Sequence, residues 1–462
     1  MNFSLTITEA QHAGLRAHLF PGDGKEAVAL LLCGRTVRHG RTRFVVNEVH
    51  VVPHAVCERS VDRVTWPTDM LPDMLSRAAR RGLSLFKIHG HAGLPDFSSI
   101  DDAADSALFP SVHAWADGPH GSAVMLDGER IFARVVDADG AFHAVHRVAR
   151  IGDDLSFWDR EIAGAAVPEH ARRVAQSFGA GTYDVLRRLR IGVVGCSGTG
   201  SVVIDQLARN CVGELVLVDP DVIETKNLNR IVNSTRADAE ARRPKVEVMA
   251  DAIHRLAFGT EIETHASSLF APESVRAIAS CDIVFGCMDS IDGRHLLNRL
   301  ATFYGLAYFD LGVKLEADGR GGIDQVCGTV HYLKPGGSSL FSRHVYSMEQ
   351  VRAAGLMRAD PAGYQALKRQ GYIRGIAEDR PAVIQLNSLI ASLAVNELLA
   401  RLHPYRLDSN GEFAVHRISL SHGIYEYLED GEPCALLAPH VGRGDMTPLL
   451  NLPELSMEAA AA

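Results

Sequence analysis

The chain has 462 residues, of which 47% are hydrophobic and 22% are charged. This length favours two domains over one, and the composition is typical of a globular protein rather than a disordered one. The formal net charge of -9 argues against nucleic-acid binding, and no apolar run approaches the roughly 20 residues that a membrane span requires.

Neither the first residues nor the cysteines indicate secretion. The start, MNFSLTITEAQHAGL, lacks the basic and apolar regions of a signal peptide. The eight cysteines are scattered, and none forms a Cys-x-x-Cys pair. The sequence therefore predicts neither a disulfide framework nor a thiolate zinc site, and we expect a cytoplasmic protein.

Residues 1–150 predict a mixed α/β domain. A strand and then a helix are predicted by LTITEAQHAGLRAHLF, and a strand closed by Pro53 is predicted by TRFVVNEVHVVP. Between them, EAVALLLCGRTV contains an apolar run that ends at Gly34. Helical spacing follows in LPDMLSRAARRG and stops at Gly82. The next strand, LSLFKIHGH, carries two histidines at its end, and SAVMLDGERIFARVVDADGAFHAVHRV predicts hairpin strands with Asp-Gly turns.

Residues 151–185 predict a helical connector, and residues 186–430 predict a second domain. That domain begins with a buried strand and a glycine turn, LRIGVVG, followed by a helix, SVVIDQLARNC, and a strand, ELVLVDPD. This order is a βαβ unit, which predicts a Rossmann-like, mostly parallel sheet covered by helices. A later buried strand, CDIVFGCMD, and a long helix, PAVIQLNSLIASLAVNELLARL, complete it. Residues 431–462 are expected to be a short, frayed tail.

A first group of residues indicates zinc chemistry. His89 and His91 lie two residues apart at a strand end, so both rings can point to one side, and Asp102 follows within reach of a loop. Two imidazoles and a carboxylate with an open fourth position are typical of a catalytic zinc site. Glu26 is the expected general base, and Ser99 could donate a hydrogen bond to an oxyanion. Against this, the chain has 21 histidines, and a His-x-His pair alone is weak evidence.

These residues resemble the JAMM (MPN+) metalloprotease family of deubiquitinases over residues 1–150. The family pattern is Glu, then His-x-His, seven residues, Ser, two residues and Asp, and this chain follows that spacing. The resemblance implies a zinc-dependent peptidase. It differs at Ala92, where the family commonly has proline, and Glu48 is the rival to Glu26 as base.

A second group of residues indicates a nucleotide site. The glycine turn would bring phosphate to the backbone N–H groups of a helix N-terminus, and Asp219 ends the next strand at a spacing that suits a ribose contact. A dehydrogenase would share these features. It would not need the amide and basic cluster that follows, which can neutralise the phosphate charge of an adenylyl transfer and includes Asn227, Arg230 and Lys245.

This second group resembles the ThiF/MoeB/HesA family, whose adenylation domains are shared with ubiquitin-activating enzymes, over residues 165–400. The resemblance implies that ATP and magnesium are used. It assigns the phosphate turn to Gly195, Gly198 and Gly200, the ribose to Asp219, and the nucleotide surroundings to Asp221, Asn227, Arg230 and Lys245. It also assigns magnesium binding to Asp289. Arg173 matches an arginine that homodimers of this family donate across their interface.

Three departures from this family pattern concern covalent chemistry and the turn. Ser197 replaces the second glycine of the turn, and Pro335-Gly-Gly-Ser-Ser-Leu-Phe stands where paired zinc cysteines are expected. No cysteine lies between Cys327 and Cys434, so the segment GYIRGIAED before the long helix cannot form the thioester or persulfide of some family members. Cys434 is the alternative acceptor, although a structural thiol is the simpler interpretation.

The sequence thus predicts a bifunctional enzyme of ubiquitin-like protein modification. One half would adenylate the C-terminal glycine of a ubiquitin-like protein ending in a Gly-Gly-like tail and pass it to a conjugating-enzyme-like cysteine or to another nucleophile. The other half would cleave after that glycine, using Zn2+. Sulfur-carrier activation for cofactor biosynthesis, peptide adenylation and a non-enzymatic scaffold are the alternatives.

Overall fold

A computed structural model of the chain describes residues 2–160, 167–317, 320, 322–369 and 383–455. These residues form two compact units. No helix among them is long and apolar enough to cross a membrane.

Unit 1 is drawn from residues 1–163, 302–305 and 440–462. Its described residues up to 160 include the eight strands of one sheet, three α-helices and a small hairpin. In chain order these elements are β1 (Asn2–Thr8), α1 (Glu9–Leu19), β2 (Val28–Arg38), β3 (Arg41–Val51), β4 (Glu58–Arg59), β5 (Val64–Thr65), α2 (Leu71–Arg81), β6 (Ser84–His91), α3 (Ser99–Trp115), β7 (His120–Leu126), β8 (Ile131–Val136), β9 (Phe142–Ile151) and β10 (Leu155–Asp159).

The main sheet of unit 1 curls until its strands meet. Its order is β1-β3-β2-β6-β7-β8-β9-β10, and β1 also pairs with β9, which gives a barrel-like arrangement. One core lies against α1 and includes Leu15, Leu31 and Phe86, while the other lies against α2 and α3 and includes Leu75 and Phe109. Strand β6 is buried along its whole length, and it ends at the two histidines.

Strand β2 continues beyond the apolar run, through Gly34 to Arg38. Gly34 is needed for close approach rather than for a turn. A Cβ at this position would collide with the backbone of Gly442 and Arg443, and the Gly34 N–H donates to the Gly442 carbonyl at 3.1 Å. A pattern based on local residues could not show this distant contact.

The last residues of the chain also differ from the expected frayed tail. Residues 440–455 belong to unit 1, and Leu449, Leu450 and Leu455 are buried there. Within the predicted helical connector, residues 155–159 form β10, which pairs antiparallel with β9. The first domain therefore extends beyond residue 150.

Unit 2 is drawn from residues 164–301 and 306–439. Helices and strands alternate in its first part, and antiparallel strands follow. In chain order the elements are α4 (Arg172–Phe178), α5 (Ala180–Leu186), β11 (Arg190–Val194), α6 (Gly198–Arg209), β12 (Glu214–Val218), α7 (Arg236–Glu240), α8 (Lys245–Leu256), β13 (Glu261–His265), α9 (Pro272–Ala279), β14 (Ile283–Gly286), α10 (Ile291–Tyr304), β15 (Ala307–Ala317), β16 (Ile323–Leu333), α11 (Met348–Ala359), α12 (Pro361–Arg369), α13 (Ile384–Leu402), β17 (Val415–Ser419) and β18 (Ile424–Leu428).

The sheet of unit 2 has the order β13-β12-β11-β14-β15-β16-β17-β18. The first five strands in this order, β13, β12, β11, β14 and β15, pair in parallel. The last three, β16, β17 and β18, continue the sheet with antiparallel pairing. The chain leaves β11 towards β12 on one side and returns to β14 on the other, which creates a crevice at the carboxyl ends of these strands. The mixed α/β fold and the mainly parallel nucleotide-type sheet predicted from the sequence are confirmed.

A buried charge cluster fixes α13 to the antiparallel strands. Glu397 of α13 is fully buried, with Oε1 2.7 Å from an Arg401 guanidinium nitrogen and Oε2 2.7 Å from His416 Nε2, and it also pairs with Arg406. Burial alone would raise the pKa of Glu397, but hydrogen bonds from His416 and Arg406 lower it to about 2. The carboxylate is therefore charged in the folded protein at neutral pH.

Glu397→Gln should lower the free energy of unfolding by about 3 kcal/mol, because it removes the anion from a buried group of cations. Denaturant unfolding would measure this. Glu426→Gln is the matched control, since Glu426 and Arg417 are each 49% exposed, and it should change the stability by less than about 0.5 kcal/mol. Equal effects of the two substitutions would contradict the importance of the buried cluster.

Candidate active sites

The end of β6 brings the two predicted histidines together in unit 1. His89 and His91 are both buried, and their Nε2 atoms lie 2.9 Å apart. Alternation along the strand puts both rings on one face of the sheet, as expected. Gly90 between them faces the other way, where a Cβ would stand 3.0 Å from the Phe20 ring.

Asp101 is the carboxylate beside this pair. Its Oδ1 lies 2.9 Å from His89 Nε2, and its Oδ2 lies 3.4 Å from His91 Nε2. Burial opposes its charge, but hydrogen bonds from His89 and His91 hold the pKa of Asp101 below its usual range. Asp101 is not among the residues that the sequence predicts for this site.

The two residues predicted for this position, Asp102 and Ser99, are not brought to the histidines. Helix α3 begins at Ser99, and Ser98 caps it through reciprocal hydrogen bonds with Asp101. Consecutive helical residues point about 100° apart, so only one aspartate can face the histidines. Asp102 instead pairs with Arg134 and is half exposed, which corrects the sequence prediction by one residue.

Glu26, rather than its rival Glu48, lies beside the histidines. Glu26 Oε1 is 3.9 Å from His91 Nε2, and its side chain is 11% exposed. Burial raises the pKa of Glu26 to about 7, so at neutral pH the carboxyl group can both accept and release a proton. Glu48 pairs with Arg77 and Arg81 on α2.

The donor set fits a metal ion. Glu26, His89 and His91 offer ligand atoms within 4.8 Å of one another, and Asp101 adds a carboxylate that contacts both rings. Two imidazole nitrogens facing each other at hydrogen-bond distance beside buried carboxylates suit a divalent cation such as zinc better than an apolar core.

A network of ion pairs lies next to the possible metal ligands on β6 and α3. Lys87, two residues before His89 on β6, places Nζ 2.5 Å from Asp105 Oδ1. Arg134 reaches the other oxygen of Asp105 at 2.7 Å and also holds Asp102. The network therefore ties α3, which carries Asp101, to the strand that carries the histidines.

In unit 2 the glycine turn follows β11, and close contacts with backbone or side-chain atoms explain the glycines. Gly195 has φ 93°, and a Cβ there would lie 2.8 Å from the Cys287 carbonyl oxygen. A Cβ on Gly200 would collide with the Gly195 carbonyl, and one on Gly198 would collide with Asn387. The turn therefore leads into the N-terminus of α6 at the wall of a cavity, which is where a phosphate site of this type lies.

Asp219, Asp221 and Lys245 meet at the end of β12. Asp219 accepts hydrogen bonds from the N–H groups of Cys196 at 2.6 Å and Asp221 at 2.9 Å. Lys245 is buried at the start of α8, with Nζ 2.6 Å from Asp221 Oδ2 and 3.7 Å from Asp219 Oδ1. Burial raises the pKa of Asp219, and Lys245 opposes that rise.

A single cavity of about 1480 Å³ collects most of the predicted residues of unit 2. Its volume exceeds the roughly 300–1,000 Å³ of common ligand sites, so it has room for two substrates. Its wall includes Gly195, Gly198, Asp219, Asp221, Asn227, Arg230, Lys245 and Asp289. Gly200 lies beneath the turn.

Arg173 is not among the residues that line this cavity. It is exposed on α4, where it donates a 3.4 Å hydrogen bond to Gln176. Its expected place across a homodimer interface stays a prediction, since the structure describes a single chain. The segment without cysteine, residues 371–379, lies outside the described residues.

Two cysteines beside the cavity, Cys196 and Cys287, are not activated nucleophiles. Burial raises the pKa of the Cys196 and Cys287 thiols. Cys434 is buried as well, and its N–H donates to the Gly337 carbonyl at 3.0 Å, in keeping with a structural role. A thiolate would be needed for covalent capture of an acyl group.

The strand order and the glycine turn define unit 2 as a doubly wound α/β unit of the dinucleotide-binding type. A sequence profile of the ThiF family matches residues 170–429. The chain therefore belongs to the ThiF family.

Known proteins resemble this part of the chain. Ubiquitin-like modifier-activating enzyme 5 of Drosophila ananassae is 27% identical over 201 residues, which is 41% of this chain and 46% of that protein. The same enzyme of Aedes aegypti gives the same identity and coverage. The chain spans about half the length of these curated relatives.

Among solved structures, E. coli MccB with MccA-N7isoASN is 16% identical and covers 59% of this chain and 75% of that chain, with a TM-score of 0.45. The selenomethionine PaaA structure is 17% identical, covers 60% of this chain and 76% of that chain, and has a TM-score of 0.40.

The placement of the two adjacent aspartates can be tested by metal content. Asp101→Asn should lower the zinc affinity of the purified protein at least about tenfold, because it removes the negative charge of the carboxylate that contacts both histidines. Asp102→Asn, a matched change one residue away, should leave the zinc affinity within about twofold. Competition with a chromogenic chelator would measure both, and the reverse order would restore the original assignment of Asp102.

Proposed function

We propose that unit 2 is an ATP-dependent adenylyltransferase acting on the C-terminal carboxylate of a ubiquitin-like protein that ends in a Gly-Gly-like tail. The observation that carries this proposal is the convergence of the glycine turn, Asp219, Lys245, Arg230 and Asp289 on one cavity. Membership of the ThiF family and the similarity to ubiquitin-like modifier-activating enzymes support it.

Different residues would bind the nucleotide, neutralise its charge and hold the magnesium ion. The turn at Gly195–Gly198 and the N-terminus of α6 would hold phosphate oxygens, and the Asp219 carboxylate would accept a ribose hydroxyl. Arg230 and Lys245 would neutralise charge as a carboxylate oxygen bonds to the α-phosphorus and the bond to pyrophosphate breaks. Asp289, exposed at the cavity wall, would hold Mg2+, which screens the triphosphate when bound.

We infer for unit 1 a zinc-dependent peptidase of the JAMM type, cleaving after the same C-terminal glycine. His89, His91 and Asp101 would be the ligands, and bound Zn2+ would supply a water with a pKa lowered towards about 7. Glu26, whose Oε1 lies 3.9 Å from His91 Nε2, would take a proton from the attacking water and release it to the leaving amine.

The oxyanion donor expected at Ser99 is less well supported by the geometry. Ser99 is exposed at the start of α3, and the neighbouring Ser98 hydroxyl donates a hydrogen bond to Asp101 Oδ2 at 2.7 Å. Since Ser98 orients Asp101, we propose that it acts through this carboxylate rather than on the substrate. Both activities would share one extended glycine tail, which gives a reason for their fusion.

Two other functions use the same adenylation chemistry. A sulfur-carrier adenylyltransferase would need a persulfide-forming cysteine, and the thiol pKa values of buried Cys196 and partly buried Cys287 are raised. A peptide adenylyltransferase needs no cysteine, and gene neighbours encoding a Gly-Gly-ending protein would argue against it. A homodimer with Arg173 reaching the partner's cavity remains part of the proposal.

Asp289→Ala should abolish ATP–pyrophosphate exchange driven by a Gly-Gly-ending protein, because the variant lacks the carboxylate proposed for magnesium. Peptidase activity and zinc content should be unchanged. Asp251→Ala is a suitable control, because Asp251 is a half-exposed carboxylate on α8 that pairs with Arg243. Full exchange in Asp289→Ala would sink the proposed magnesium role.

His89→Ala should remove bound zinc and peptidase activity while exchange continues at the wild-type rate. Metal analysis of the purified variant and cleavage of a fusion to the tail of the modifier would measure these effects. His143→Ala, at an exposed histidine paired with Asp137, is the control. Full zinc occupancy in His89→Ala would refute the ligand assignment, and loss of both activities would refute independent sites.

A further inference from the structure

One buried side chain at the wall of the unit 2 cavity has a hydrogen-bond donor that the protein does not use. Asn387, in the first turn of α13, is 2% exposed, and it lines the cavity. Among the residues that the structure describes, its carboxamide nitrogen Nδ2 has no hydrogen-bond partner. An unpaired buried donor weakens the folded state, so a ligand that accepts a hydrogen bond from Nδ2 is favoured at this place.

The orientation of this carboxamide is set by the glycine turn that it faces. Its Oδ1 accepts a hydrogen bond from the Thr199 hydroxyl at 3.2 Å. Its Nδ2 lies against Gly198, where a Cβ would collide with it. The same Cβ would lie 3.2 Å from Arg230 Cδ, so the unpaired donor and the Arg230 side chain border the turn together.

Helices α6 and α13 both begin beside this donor. Near their N-terminal ends, Thr199 of α6 contacts Asn387 of α13. Further along, Gln206 Nε2 of α6 donates to Ser392 Oγ of α13 at 2.7 Å. Since the residue numbers rise in the same direction along both helices, the two helices run parallel, and their N-termini lie at the same end. The partial positive charge of both N-termini favours an anion there.

A phosphate oxygen is the acceptor that fits these surroundings. The turn, the two helix N-termini and the Arg230 guanidinium supply donors or positive charge at this part of the cavity wall. An amide is a neutral donor, which needs no counter-ion while the cavity is empty. Its hydrogen bond is also directional, so it would fix the orientation of a phosphate group beside the turn.

We propose that Asn387 is a nucleotide-binding residue, whose Nδ2–H donates to a phosphate oxygen of ATP at the glycine turn. This inference rests on the adenylation proposed for unit 2 and adds a contact from α13, which is distant from the turn in the sequence. Thr199 acts as a positioning residue, because its hydroxyl holds the carboxamide with Nδ2 towards Gly198. ATP binding would pair the buried donor and thereby stabilise the folded protein.

Asn387→Asp tests the donor, because aspartate keeps the shape and the oxygen that Thr199 contacts but replaces the NH2 group with an anionic oxygen. Isothermal titration calorimetry of the purified full chain with Mg2+ and ATP would measure the dissociation constant. We expect this constant to rise at least about tenfold, since the phosphate would lose a donor and face a negative charge. The affinity for adenosine, which has no phosphate, should be unchanged.

Asn396→Asp is the matched control for this substitution. Asn396 is exposed on the same helix, and its Nδ2 donates to the Ser392 carbonyl at 2.9 Å. The control should leave the dissociation constant for ATP unchanged. An unchanged constant in Asn387→Asp as well would overturn the inference. Equal losses of ATP and adenosine affinity would also overturn it, because they would indicate damage to the cavity rather than a lost phosphate contact.

Asn387→Leu separates nucleotide binding from folding, since leucine has a similar size but carries no donor. Removing an unpaired buried donor should not lower the melting temperature of the nucleotide-free protein. The increase in melting temperature that ATP produces should become smaller, because ATP loses a contact in the folded state. A lower melting temperature without nucleotide, together with an unchanged increase from ATP, would show a structural role and overturn the inference.

ATP binding needs no carboxylate substrate, so its measurement separates this inference from the proposed function. If the wild-type protein binds ATP but shows no exchange with a Gly-Gly-ending protein, the proposed function is overturned, and the variants still decide the Asn387 contact. If exchange occurs and Asn387→Asp binds ATP as the wild type does, the proposed function stands and the contact is overturned. If the wild-type protein binds no ATP, both are overturned.

Discussion

The chemistry of unit 2 depends on how closely its backbone segments approach at the carboxyl ends of the parallel strands. Gly195 lies against the Cys287 carbonyl, and Gly200 lies against Gly195 itself. Because no side chain separates them, the turn after β11 and the strand end after β14 border one cavity. Asp219, Lys245 and Asp289 then face the same space, although they are far apart in the sequence.

The arrangement of carboxylates beside the histidines of unit 1 depends on a local feature, the residue at which α3 begins. The Ser98–Asp101 capping box starts the helix and turns Asp101 to the histidines, while Lys87, Asp105 and Arg134 hold the helix against the sheet. A helix beginning one residue later would present Asp102 instead. The proposed metal-ligand set therefore depends on hydrogen bonds and ion pairs made by residues that are not themselves ligands.

Strong local patterns made much of this protein predictable from its sequence. The β11–turn–α6–β12 order, the hairpins after Asp127-Gly128 and Asp139-Gly140, and the pairing of His89 with His91 all follow from periodicity or from turn residues within a short segment. Only the tertiary structure could decide between Asp101 and Asp102, because the two overlapping Ser-x-x-Asp spacings are equivalent until the helix start is known. Gly34 inside β2, the buried residues 449–455 and the approach of Asn387 to Gly198 depend on contacts between distant segments, and a local pattern carries no information about those.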